Sequence, residues 1–142
     1  MKRLLLLLLV TQAPSTAYSE DYHHILLQCS PSDANKIATV SIDKTQSIAS
    51  IEFRSSGQVK DNFKSLPVHF TADEIMITME YTDAMLAKSS VPEGMKMTAQ
   101  MRISRKSLSS QMFVSLNGGA FSAAGGDSVC TLQETNNNGN RI

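Results

Sequence analysis

From Met95 to Ile103 apolar and polar residues alternate without a break: Met95, Met97, Ala99, Met101 and Ile103 against Lys96, Thr98, Gln100 and Arg102. A period of two is the mark of a strand with one buried face, because successive side chains leave opposite sides of the pleat. A helix would scatter these five apolar residues around its circumference. The same period recurs in Ile75, Ile77 and Met79, which run on to Tyr81, and in Ala38, Val40 and Ile42. Shorter stretches with strand character are Tyr22 to Gln28, Ser47 to Arg54, Val68 to Phe70, Gln111 to Leu116 and Ser128 to Gln133. Turn-forming clusters separate them: Asp43-Lys44-Thr45-Gln46, Ser55-Ser56-Gly57, Val91-Pro92-Glu93-Gly94 and Asn117-Gly118-Gly119. The spacing predicts an all-β fold, a single small antiparallel barrel or sandwich of about eight strands.

Two places depart from the pattern. Thr71 and Glu74 have the spacing of a capping box, but the β-branched run that follows opposes a helix. Asp83 to Lys88 contains Ala84, Met85, Leu86 and Ala87, helix formers without alternation, and predicts a short helix or irregular excursion inside a long loop.

The first residues belong to targeting rather than to the fold. Lys2 and Arg3 precede an apolar run from Leu4 to Val10, and a polar stretch leads to Ala17-Tyr18-Ser19. This three-part order predicts a secretory signal over residues 1–19, with the cut expected before Glu20 and Ser15-Thr16-Ala17 before Tyr18 as the alternative. Its apolar run falls far short of the roughly 20 residues that cross a bilayer, and no lipid-attachment cysteine follows closely, so no membrane anchor is expected. The folded domain is expected over residues 20–135, with a frayed polar tail over 136–142.

Export changes the reading of the two cysteines, Cys29 and Cys130. In an oxidising compartment, periplasmic or extracellular, pairing is the economical outcome. The chain has five Phe, three Tyr and no Trp, so its core leans on Met, Ile, Leu and Val. A thin core of that kind gains much from a covalent closure worth roughly 4 to 5 kcal/mol.

Loss of Lys2 and Arg3 with the leader leaves 11 basic against 13 acidic residues. The basic residues cluster no further than Arg102, Arg105 and Lys106, so neither a nucleic acid nor an anionic membrane is an expected partner.

Chemistry-bearing constellations are sparse. His23 and His24 adjoin Asp21, but neighbours on a strand point to opposite faces, and they read as ordinary surface histidines. His69 has no second ligand at zinc spacing. Met95, Met97 and Met101 on one strand face offer soft sulfurs to Cu(I), yet such a stripe reads first as core filling. There is no Gly-x-Ser-x-Gly elbow, and Asp73 with Glu74, or Glu80 with Asp83, are too close along a strand to work as a catalytic carboxylate pair. Neither catalysis, a metal site nor a cofactor is expected. The most distinctive stretch is Asn117 to Gly126, which is uncharged and includes Gly118, Gly119, Gly125 and Gly126 around Phe121. It predicts a flexible binding loop presenting Phe121 or, more plainly, a slack connection between the last two strands.

Cys29, Ile42-Asp43, Ile103-Ser104-Arg105-Lys106-Ser107-Leu108 and Gly126-Asp127-Ser128-Val129-Cys130 together resemble a loose group of small exported bacterial β-proteins with a Cys near each end. Leu108 stands where such chains usually carry Gly. A more distant resemblance is to the periplasmic C-type lysozyme inhibitors, small barrels in which an inserting loop would correspond to 117–126, here without the usual Tyr, Trp and Lys signature. These resemblances imply binding without chemistry. The expected function is an exported protein-binding or inhibitor-type domain acting on another envelope or extracellular protein; the alternative is a small apolar-ligand carrier with a Met-lined interior.

Overall fold

The computed structural model describes residues 23–31 and 35–136; the expected leader and residues 137–142 of the expected tail lie outside them. Eight strands follow one another: β1 (His24–Pro31), β2 (Lys36–Asp43), β3 (Ile48–Ser55), β4 (Gln58–Phe70), β5 (Glu74–Tyr81), β6 (Met97–Ser104), β7 (Ser109–Leu116) and β8 (Ser122–Asn136). A one-turn helix, α1 (Asp83–Leu86), interrupts the series after β5. Each strand pairs antiparallel with the next, and β8 returns to β1, so the sheet closes into a barrel. Closure settles the choice between barrel and sandwich.

The inner face follows from the alternation. Ile25 and Leu27 of β1, Val40 and Ile42 of β2, Ile51 of β3, Ile75, Ile77 and Met79 of β5, and Met101 and Ile103 of β6 are all buried. Met101 is thus core, while Met95 falls outside β6 in the long connector, so the methionine stripe does not form one set of ligands. Cys29 and Cys130 sit directly opposite each other on β1 and β8, bonded and facing inward, 3.9 Å apart at Cα. The bond therefore staples the seam at which the barrel closes.

β4 is the irregular wall. Against β3 its register slips between Ala49 and Ile51 and again between Phe53 and Arg54, and its buried residues are Phe63, Leu66 and Val68, three apart and then two. Ser65 takes a positive φ of 54° at the first slip. Bulges bend a strand, and β4 pairs with β5 only from Val68 to Phe70. Above that point the two strands separate. Lys60, Lys64 and Pro67 stand along this stretch of β4, and charge and proline discourage the addition of a foreign strand. Phe63 packs edge-on between Phe53 and Tyr81, at ring distances of 6.2 and 5.2 Å, near the separation.

The turns at one end interlock. Thr71 Oγ1 accepts the N–H of Glu74 at 3.0 Å and that of Asp73 at 3.3 Å, so the capping-box spacing closes a tight turn rather than opening a helix. Arg105 reaches over from the β6–β7 turn, donating Nη1 to Thr71 O at 2.8 Å and its backbone N–H to Asp73 O at 2.8 Å. Asp43 Oδ1 likewise accepts the N–H groups of Thr45 and Gln46. The first and last strands also begin and end here, with His24 opposite Asn136. Asn136, expected in the frayed tail, is instead the last residue of β8.

At the other end lie α1 and its connector, the β3–β4 turn and the β7–β8 turn. Leu86 of α1 is buried and Met85 packs on the core, so the helix covers this mouth of the barrel.

Candidate functional site

The uncharged stretch 117–126 divides into two structures. Asn117 to Phe121 is a compact turn, and Ser122 to Gly126 belong to β8, with Ser122, Ala123 and Ala124 paired to Val114, Phe113 and Met112. The ten residues are therefore not one loop, because the second half of them continues into β8. Asn117 holds the turn from both sides: its N–H donates to Lys96 O at 2.8 Å, and its Oδ1 accepts Lys96 N–H at 3.0 Å. Its φ of 50° is a conformation that Asn tolerates better than most residues. The buried Ser115 Oγ donates to Gly119 O at 2.6 Å, and Gly119 N–H donates to Leu116 O at 2.9 Å.

This fixed turn displays two large apolar side chains, Leu116 at 44% and Phe121 at 39% exposure. Met97, half-buried, pairs across from Leu116. Val59, also exposed, belongs to the same end of the barrel, at the start of β4. Val129 and Leu132 are exposed as well, but they lie further along β8 on the barrel wall. The α1 end thus carries an apolar rim.

Gly125, Gly126 and Asp127 form the second structure. Between the pairs Ser110–Ser128 and Met112–Ala124, β8 spends two more residues than β7, with Gly125 at φ 80°. The bulge opens the wall. Glu74, Arg102, Ser104, Ser110, Phe113 and Asp127 are among the residues lining the resulting outer groove of about 160 Å³. The Arg102 guanidinium lies 4.0 Å from the Phe113 ring centroid, and its Nε donates to Gln100 Oε1 at 2.7 Å. A larger, shallower groove of about 380 Å³ crosses the outer face at Leu26, Gln28, Thr39 and Gln133 and holds no titratable side chain.

The remaining sequence candidates are dispersed. His23 Nδ1 lies 3.5 Å from Thr45 Oγ1, and His24 Nδ1 lies 4.0 Å from Asp43 Oδ2. His69 is exposed on β4. Asp73 lies 3.8 Å from Lys106 Nζ in full solvent, and Asp83 opens α1. Among the described residues no three His, Cys, Asp or Glu side chains converge as metal ligands would, and no helix is long and apolar enough to cross a membrane. Burial, with Asp61 adding to it, pushes the Tyr81 hydroxyl above its ordinary pKa.

Comparison with known protein families, with curated proteins and with solved structures finds no match for this chain.

Proposed function

We propose that this chain is an exported, disulfide-closed binding module that docks the rim around Leu116 and Phe121 into a cleft on another envelope or extracellular protein. The observation that carries this reading is the pinned turn. Exposed aromatic and aliphatic side chains on a prearranged backbone lose little conformational freedom on binding, which is the economy that protease-inhibitor loops use. A convex turn suits a concave partner, and insertion into a cleft would make the module an inhibitor. The leader and the buried Cys29–Cys130 bond support an oxidising location outside the cytoplasm.

The carrier alternative asks for an open interior lined by methionine. Met79 and Met101 are instead packed among Ile and Val, and both grooves described above lie on the outer face. That arrangement favours partner binding.

The test is affinity capture from an envelope extract on the oxidised protein, followed by titration of the purified partner against Leu116→Asp and Phe121→Asp. Each substitution is expected to weaken the complex at least about 30-fold while shifting stability by no more than about 0.5 kcal/mol. A partner that binds both variants as tightly as the parent refutes the rim.

A further inference from the structure

We propose that the wall between β4 and β5 is a gate: it unzips from the α1 end while the rest of the barrel stays folded, hinging on the stapled seam between β8 and β1. Hydrogen bonding around the barrel is uneven. β4 and β5 pair at three positions, Val68 with Ile77, His69 with Met76 and Phe70 with Ile75, while every other seam pairs at five to eight. The Cys29–Cys130 bond reinforces the β8–β1 seam, which pairs at eight. In the eight-strand ring these two seams face each other, with β1 to β4 on one side and β5 to β8 on the other. The covalently tied seam stands where a hinge belongs, and the least-bonded seam stands where the wall would part first.

The lower end of the gate is fixed and its upper end is not. Below Phe70 the turn at 71–74 is held by Arg105, whose Nη1 and backbone N–H donate to Thr71 O and Asp73 O, each at 2.8 Å. Above Val68 the bulge at Ser65 bends β4 away, and no ladder joins residues 61–66 to residues 78–81. Phe63 bridges the two strands there, edge-on to Tyr81 at 5.2 Å. One ring pair thus replaces a run of backbone hydrogen bonds, and the strands part at little cost. α1 starts two residues after Tyr81, so it travels with β5. Opening bares Phe63 and Tyr81, and Tyr81 shares a cross-strand row with Met97 and Leu116. The gate therefore sets how far the apolar rim extends. That bearing on docking rests on the function proposed above, whereas the opening itself does not.

Native-state hydrogen exchange, read by NMR on the free oxidised protein in rising sub-denaturing urea, tests the gate without any partner. Amides bonded across the seam at 68–70 and 75–77 are expected to exchange through an opening at least about 100-fold more populated than global unfolding. Amides beside the disulfide, at 27–30 and 129–132, are expected to exchange only on global unfolding. His69 and Met76 stand opposite each other on the outer face, between buried neighbours. His69→Cys with Met76→Cys, oxidised to a second staple, is expected to bring the two classes of amide within about threefold of each other. Tyr81→Ala removes the ring contact and needs no new bond; it is expected to raise seam opening relative to global unfolding at least about fivefold. The proposal is overturned if the seam amides exchange only with global unfolding, if the amides beside the disulfide open as early, or if either variant leaves the ratio of seam opening to global unfolding unchanged. Leu116→Asp and Phe121→Asp that still bind a captured partner would instead remove the rim and leave the gate standing.

Discussion

Breaking the Cys29–Cys130 bond is expected to lower the melting temperature by roughly 15 to 25 °C. The two residues are 101 apart in sequence. In chain-entropy terms a loop of that size withholds about 4.7 kcal/mol of disorder from the unfolded chain. For a domain of this size each kcal/mol moves the midpoint by roughly 3 to 6 °C. The folded state contributes little to the difference, because β1 and β8 stay paired over eight positions with or without the bond, and buried thiols behave as small apolar groups. The assay compares circular-dichroism melts of the oxidised protein with those of protein reduced in denaturant, refolded under reductant and verified by thiol titration; Cys29→Ala with Cys130→Ala provides the second arm. The sulfurs are enclosed, so reductant added to folded protein is expected to act only as fast as the barrel opens. Reduced protein melting within about 5 °C of the oxidised form would show that the staple adds nothing.

Two further predictions concern single residues. Leu108 has a φ of 55°, packs on the core and passes its carbonyl to the N–H of Cys130 at 2.8 Å; Leu108→Gly and Leu108→Ala lose the same packing, but Gly escapes the left-handed penalty, so urea unfolding is expected to find the Gly variant more stable than the Ala variant by about 1 kcal/mol. The reverse order would remove the strain argument. For Tyr81, burial and then Asp61 raise the folded-state pKa. The unfolded chain therefore ionises first, and stability present below pH about 10 is lost as pH climbs through the folded value. Tyr81→Phe is expected to flatten the alkaline fall in melting temperature, and an unchanged slope would assign that fall to other groups.

The strands that show in the sequence are those whose ladders run without a slip. β2, β5 and β6 each bury every second residue, and their alternation survives intact from Ala38 to Ile42, Ile75 to Met79 and Ala99 to Ile103. β4 is hidden for a physical reason. One bulge breaks the period between Phe63 and Leu66, a second falls between Val59 and Asp61, and Pro67 stands inside the strand, so that only Val68 to Phe70 keeps strand character in the sequence. β8 is hidden in its first half because Ala123 to Gly126 are small and glycine-rich, which reads as loop although two of the glycines serve a bulge. For the sites, Asn117-Gly118 is a readable turn, but the carbonyl and amide of Lys96 that fix it are 21 residues away.

Because His24 faces Asn136 at the mouth opposite α1, the two ends of the barrel's strand series emerge side by side. A short linker joining them would leave the ladder undisturbed, and a new start cut at Ser56-Gly57 would yield a circularly permuted chain with the same eight staves. The same proximity means that a surface tether or fusion at either end orients the Phe121 turn outward, toward whatever approaches.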